Sequence, residues 1–515
     1  MASDGGGGSG RRRPRAALGR PGLGALVAAA LLVALMAANV ERVAAPTAQV
    51  VPPAGGADES RAAAGASARP GDAGAPTPTV LNDNGGWSWF QDERALLTDD
   101  GQLLVASVPD STGTDGAQRE GGTEVTRVDL RSGTVRTDRL FPDLPSDDHN
   151  AAALLRTPDR TLALATSHSS DPTIYRAHLD PDRDAWVPEP SLIRPEADLY
   201  DPALGRPSGV TYSNLAYLAG ENGGQGRTYD VFRSAGETQH LITSDDQGRT
   251  WDDRGQLLTP YRAYLKMVSD GWNRIWFSVT DGHPGNIDGS SLYAGYIEGD
   301  AIHRADGTVV APLGVPVDPT DLTLVFAGTP GAIGAQTDAW ASDIALDADG
   351  RPVITFSTTV PGDPERSYRF RRHEARYARW DGTAFQEHRM ADAGTEVGDQ
   401  LHYTGLSALD PGDPDRVFLS TDSHPVTGAP LRSSADGRVH HEIFEGRTRD
   451  GGETWAWAAV TADSREDNLR PVVPEPRGGH SALLWLRGEY ISPLVFDLDV
   501  VAITDPEGPI SRGSP

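Results

Sequence analysis

Two eight-residue segments, Ser244-Asp245-Asp246-Gln247-Gly248-Arg249-Thr250-Trp251 and Thr448-Arg449-Asp450-Gly451-Gly452-Glu453-Thr454-Trp455, share the pattern S/T-x-D-x-G-x-T-W. Each part has a physical task. The Asp carboxylate can accept from amides of its own turn, Gly supplies the tight backbone, and Trp pins the hairpin to its sheet. Two copies in one chain imply a sheet unit that repeats, and antiparallel sheets repeated around an axis form a β-propeller. The motif is structural, so any chemistry must lie elsewhere.

Weaker marks extend the repeat. Asp-rich turns followed by an aromatic occur at Asp184-Ala185-Trp186 and Asp381-Gly382-Thr383-Ala384-Phe385. From Trp186 through Trp251 and Phe385 to Trp455 the gaps are 65, 134 and 70 residues, the middle one about twice the others. No mark stands at the skipped position near residue 318. Strand-like runs at 274–280, 292–297, 353–360, 416–420, 482–486 and 497–503 are separated by Gly and Pro. The expected fold class is all-β, a seven-bladed β-propeller over residues 80–515 preceded by a disordered segment.

That segment is distinct in composition. Trp87 is the first aromatic residue, and what precedes it is mostly Ala, Gly, Pro, Arg and Ser, which cannot bury a core. Arg11, Arg12, Arg13, Arg15 and Arg20 precede an apolar run at 23–38, the layout of an export signal. Residues 1–45 are expected to be a signal peptide or an N-terminal membrane anchor, and 46–79 a flexible Ala/Gly/Pro-rich linker. The folded part is expected to be secreted or otherwise outside the cytoplasm.

Net charge is -27; the first 80 residues carry eight Arg and five acids, a net of +3, which leaves about -30 for the rest. So acidic a body argues against nucleic acid as partner, because phosphate binding needs a cationic footprint. Cys is absent, which excludes disulfides, thiolate metal sites and thiol nucleophiles. No Gly-rich phosphate loop is present. Of 46 Lys plus Arg, one is Lys, at 266. Tyr264 and Lys266, two residues apart, are expected to face the same side of a strand. His440-His441 would point opposite ways on a strand, poor ligand geometry, while the Asp-rich turn at 410–415 is open either to calcium or to solvent.

Candidate site residues follow from their place at predicted strand ends. His149 lies in Asp147-Asp148-His149-Asn150 before an apolar run, and His168 follows the apolar strand at 161–165. Tyr212 and Arg233 can both line a cleft, with Tyr229, Val231 and Arg233 on one strand face.

Several segments resemble the bacterial-neuraminidase-repeat (BNR) proteins. They are Gly86-Trp87-Ser88-Trp89-Phe90-Gln91-Asp92-Glu93-Arg94, the Asp-Asp-His-Asn motif, the Tyr264/Lys266 segment, Thr280-Asp281-Gly282-His283-Pro284, Leu469-Arg470-Pro471 and Leu486-Arg487-Gly488. More narrowly they are similar to the branch containing propeller polysaccharide lyases that cut rhamnose–glucuronate linkages. That resemblance implies a central cleft with two His, a Tyr and an Arg in the order His149, His168, Tyr212, Arg233. It implies β-elimination at a uronate: Arg233 on the carboxylate, Tyr212 or His149 taking the C5 proton, the other or the same Tyr protonating O4, and His168 orienting sugar or base. Tyr264, Lys266 and His283 would hold neighbouring sugars or the carboxylate. The expected partner is a uronate-containing polysaccharide, met by a monomer with no required cofactor, though a structural calcium or other divalent ion stays open. Two alternatives remain: a rhamnosidase-type or sialidase-like hydrolase on the same propeller, and a non-catalytic glycan binder stacking sugars on Trp87, Trp89, Tyr212 and Tyr264. The usual sialidase opening Phe/Tyr-Arg-Ile-Pro is missing, with Phe232-Arg233-Ser234-Ala235 the nearest approach.

Overall fold

A computed structural model describes residues 77–504, except 143, 169–170, 195–199, 202–205, 285–286, 332–335, 361–371, 399 and 401–402. The chain separates into two units, Met1–Gly71 and Asp72–Pro515, and every described residue belongs to the second. The leader expected at 1–45 and all but the last three residues of the expected linker therefore lie outside the described residues. Among those described, no helix is long and apolar enough to cross a membrane.

The architecture is a seven-bladed, all-β propeller. Its first six blades start at the inner strands Ala95–Leu97, Ala153–Arg156, Thr211–Leu218, Leu265–Ser269, Ala339–Leu346 and Ser407–Leu409. Each runs outward through antiparallel hairpins. The seventh blade orders Asp467–Val472, Ala482–Ser492 and Val495–Thr504 from the inside, and its outermost place is filled by the first strand of the fold, Thr79–Asn82. Thr79 pairs Ala502, so the ring is closed by joining the two ends of the domain. All six strand-like runs read from the sequence lie on strands.

Burial explains why blades stack. Apolar side chains alternate along the middle strands, and each face meets the next blade. Leu104, Ala106 and Val125 of blade one pack on Ala163, Ala165 and Ala177 of blade two. Val353 and Tyr377 of blade five pack on Val417 and Leu419 of blade six. The described residues form seven such clusters, six at single seams and a seventh that joins the seam between blades seven and one to inward-facing residues such as Tyr212, Tyr264, Trp340 and Tyr403. A 437-residue span can thus be stabilised in layers.

The two Asp-box turns are built alike. Ser244 Oγ accepts the Gly248 amide at 2.7 Å, Asp246 Oδ1 accepts the Thr250 amide at 2.8 Å, and Trp251 Nε1 donates to Gly248 O at 3.1 Å. Thr448, Asp450, Thr454, Trp455 and Gly452 repeat the set at 2.9, 2.9 and 3.0 Å. Gly248 (φ 81°) and Gly452 (φ 102°) sit in the left-handed region. A Cβ on Gly248 would lie 2.6 Å from Leu162 of the preceding blade, and one on Gly452 2.5 Å from Tyr377. The unmarked position near residue 318 falls in blade four, which has extra outer strands at Val309–Pro312 and Thr323–Phe326.

Candidate active site

Because every blade runs its inner strand in the same sense, the starts of inner strands and the ends of second strands gather on one face. Tyr212 and Trp340 open the inner strands of blades three and five; His149 and Tyr264 precede those of blades two and four. His168, Arg233 and His283 lie at or just beyond the ends of second strands. The ring contacts form a continuous chain. His149 stacks on His168 with centroids 3.7 Å apart, His149 meets Tyr212 at 5.2 Å, and Tyr212 meets Tyr264 at 6.3 Å. Tyr264 touches His283 at 5.4 Å and Trp340 at 5.1 Å. The Arg233 guanidinium lies 4.8 Å from the Tyr212 ring centre. Six of the seven side chains singled out in the sequence therefore converge.

Asp147 organises the histidines. It caps the short turn Asp148–Asn150, with Oδ1 accepting the His149 amide at 3.0 Å. The same oxygen lies 2.7 Å from His149 Nδ1, and Oδ2 lies 2.7 Å from His168 Nδ1. Asp148 Oδ1 is also 2.7 Å from His149 Nδ1, while its Oδ2 accepts the Tyr490 hydroxyl at 2.9 Å. Stacked imidazoles sharing one carboxylate cannot both carry charge easily, and their environments separate them. Burial alone would lower the His149 pKa, but Asp147 and then Asp148 overcome it and raise it to about 9. Burial, then repulsion from His149, takes His168 down to about 4. At neutral pH one ring is a cation and the other a free base. Burial would raise Asp147, yet the two imidazoles hold it far below the usual carboxylate range.

Beside the histidines lie Tyr212 and two guanidinium groups. Tyr212 adopts φ 62°, left-handed for a non-glycine residue, at a register shift between Thr211 and Asn214. Such positions persist where surrounding structure enforces them, and they collect at active sites. Burial, reinforced by Tyr264, keeps the Tyr212 hydroxyl protonated well beyond its ordinary range, with Ser88 beside it. Arg233 Nε lies 3.0 Å from Glu237 Oε2, and Arg262 Nε lies 3.3 Å from the same oxygen. Burial, then Arg262 and Arg233, lowers His283 to about 4.

Lys266 does not join the cleft. It is 1% exposed and donates to Gln91 O, beside Arg470 Nη2, which donates to that oxygen at 2.8 Å. It faces Asp92, Glu93 and Asp343 in a buried charge cluster under the cleft, where burial and then Arg470 push its pKa to about 7. Tyr264 lies one residue before the strand Leu265–Ser269, and its carbonyl accepts the Thr280 amide at 3.1 Å, which continues the ladder. Trp87 and Trp89 are 2% and 0% exposed. Trp89 Nε1 donates to Thr404 O at 2.6 Å and its ring packs on Tyr490 at 4.2 Å. Both tryptophans are buried, and Trp89 supports Tyr490 and the loop at Thr404.

Sequence reasoning missed Asp147 as the bridge, and Glu237, Arg262, Trp340 and Tyr403. The signal for Asp147 was present, since an acid two residues before His149 in a turn is a cap. Asp147, His149 and His168 offer three ligand atoms within 4.8 Å of one another, enough for a divalent cation by donor type. Their 2.7 Å contacts are hydrogen-bond lengths. His440 and His441 both turn toward Asp467, at 3.4 and 3.6 Å, so the expectation of opposite directions fails because the strand begins only at Glu442. Asp413 and Asp415 of the Asp-rich turn pair with Arg447 and Arg379.

Residues 117–393 match the family described as BNR repeat-containing family member. No curated protein matches the chain. Among solved structures, a polysaccharide lyase, PL25 ulvan lyase bound to GlcA(1-4)Rha3S, is 13% identical with a TM-score of 0.52, covering 82% of this chain and 94% of its own. An α-L-arabinofuranosidase from Fusarium graminearum is 10% identical over 68% and 92% of the two chains, with a TM-score of 0.38. The NanB sialidase from Streptococcus pneumoniae is 12% identical over 82% and 70%, with a TM-score of 0.36. At 13% identity the likeness to the lyase is one of fold.

Proposed function

The chain belongs to the BNR repeat-containing family, and from that premise and the cleft we propose that it is a carbohydrate-active enzyme, a polysaccharide lyase acting at uronate residues by β-elimination. One observation carries the reading: two stacked imidazoles sharing one carboxylate lie against a buried tyrosine whose ring packs on an arginine. Elimination needs a base for the C5 proton, a donor for O4, and a cation for the carboxylate whose charge grows in the transition state.

The pKa directions revise the division of labour between the histidines. His149, charged at neutral pH, is a poor base. His168, neutral and tied to Asp147 through Nδ1, can accept the C5 proton on its other nitrogen. As the C5–H bond breaks, its electron pair forms the C4–C5 double bond and the C4–O4 bond releases its pair to O4. Tyr212 gives O4 its proton and recovers one from the imidazole pair or water. Arg233 balances the enolate-like charge in a site poor in water. Each proton transfer is worth about 10²–10⁴-fold in rate. The chemistry calls for no cofactor, and the protein is taken to work as a monomer outside the cytoplasm.

The test is ultraviolet absorbance of unsaturated uronate on incubation of the full chain with rhamnose- and uronate-containing polysaccharides. A rise that Tyr212→Phe and His168→Ala both abolish, with folding intact, supports the reading. Release of reducing sugar without absorbance means a hydrolase; binding with neither signal means a glycan-binding propeller.

A further inference from the structure

Three non-glycine residues in the left-handed region meet at one end of the cleft: Tyr212 (φ 62°), Glu237 (φ 56°) and Arg262 (φ 55°). They come from different chain segments, and they are joined. The Arg262 amide donates to Glu237 O at 2.8 Å, and its guanidinium lies 3.3 Å from Glu237 Oε2. That oxygen also holds Arg233 at 3.0 Å, and Glu237 Oε1 accepts the Ser208 hydroxyl at 2.9 Å. One buried carboxylate thus anchors two guanidinium groups. Among the described residues Glu237 is the one acid in ion-pair reach of either arginine.

The two arms differ in access. The Arg233 side chain is 3% exposed, beneath Tyr212, whereas that of Arg262 is 34% exposed. The Arg262 chain lies over the Tyr261 ring at 5.3 Å, which limits its swing. Two cations on one anion leave about one positive charge to be met by a ligand. Backbone held in sparsely populated conformations on both partners is what a preformed clamp requires, since relaxation would let the side chains drift apart. His283, between Tyr264 and Trp340, is kept neutral and adds no further cation.

We propose that Arg262, held by Glu237, is a substrate-contacting, specificity-determining residue: the outer arm of a two-arginine clamp that selects a sugar bearing one carboxylate over its neutral counterpart. This rests on the cleft being a uronate site, but not on which reaction follows binding. Arg233 then meets the inner carboxylate oxygen at the reacting sugar, and Arg262 closes from the solvent side, each giving a charge-assisted hydrogen bond to one oxygen.

The experiment uses methyl β-glucuronoside and methyl β-glucoside, which carry no O4 glycosyl leaving group, with affinities measured by calorimetry or ligand-observed resonance on the full chain. The wild type is expected to prefer the glucuronoside by about 10-fold or more, the size of one hydrogen bond to a charged group. Arg262→Gln should cut that preference by about 10-fold while leaving glucoside affinity and thermal stability unchanged, and Arg262→Lys should fall between. An unchanged ratio in Arg262→Gln, equal loss for both ligands, or a wild type that fails to favour the glucuronoside overturns the proposal. If the ratio collapses as expected but no polysaccharide yields unsaturated product, the clamp stands and the lyase reading falls.

Discussion

Replacing Asp147 by Asn should flatten the dependence of stability on pH between 6 and 10. Asp147 is the first of the two acids that hold the His149 pKa near 9 instead of its ordinary 6.5, against the opposing effect of burial. A pKa raised in the folded state means that folding favours the protonated ring. The associated stability is fully present below about pH 6.5 and is lost as pH rises through 9. Two and a half pKa units correspond to about 3 kcal/mol, which for a propeller of this length is about 3 °C in melting temperature. In Asp147→Asn the anion is gone, His149 returns toward its ordinary value, and this loss largely disappears. The absolute stability of the variant at pH 6 is a separate matter, because exchanging a buried ion pair for neutral groups can be nearly neutral. The informative quantity is the wild-type minus variant difference followed across pH, in which titrating groups away from Asp147, Asp148 and the two histidines cancel. Thermal or denaturant melts at half-unit pH steps suffice. A difference that stays constant from pH 6 to 10 refutes the assignment of the charged ring to His149.

Three further outcomes are expected. Gly248→Ala should destabilise by about 2–4 kcal/mol, combining a left-handed backbone with a Cβ 2.6 Å from Leu162, while Gly350→Ala, at φ 73° with nothing near it, should cost about 1 kcal/mol; denaturant melts compare them. Lys266→Met should be less costly at pH 5 than at pH 8, because burial raises Glu93 to about 8 and Asp92 to about 6, so both are neutral at the lower pH, while Lys266, pushed down to about 7, carries its buried charge there without them. A chelator should leave the elimination rate unchanged; loss of rate restored by added zinc or manganese would put an ion on Asp147, His149 and His168 instead.

What could be read from the sequence was what local chemistry writes into consecutive residues. Each Asp box is a complete turn within eight positions, so Asp246 and Asp450 announced blades three and six without tertiary information. Blade four escaped because its outer edge is finished by added strands. His149 and His168 were noticeable because each sits where an apolar run stops. The bridge between them was not, since Asp147 Oδ2 reaches His168 across 21 positions. Glu237 and Arg262 escaped for the same reason: their meaning lies in a contact between segments and in backbone angles that no residue pattern encodes. Lys266 was misplaced because near the axis both faces of an inner strand are covered, so its side chain ends in a buried charge cluster with Asp92, Glu93 and Asp343.

The seventh blade has a consequence for how the molecule is made. Thr79 pairs Ala502, so the first described strand can be paired only once the last has been made, and closing so long a loop costs about 5 kcal/mol of chain entropy. Until it arrives, Val495–Thr504 presents a row of unpaired amides and carbonyls, the kind of edge that recruits strands from other molecules. The four residues Thr79–Asn82 therefore act as a completion check: a chain interrupted anywhere between the two ends keeps an open edge, and with it a route to aggregation that the finished ring no longer has.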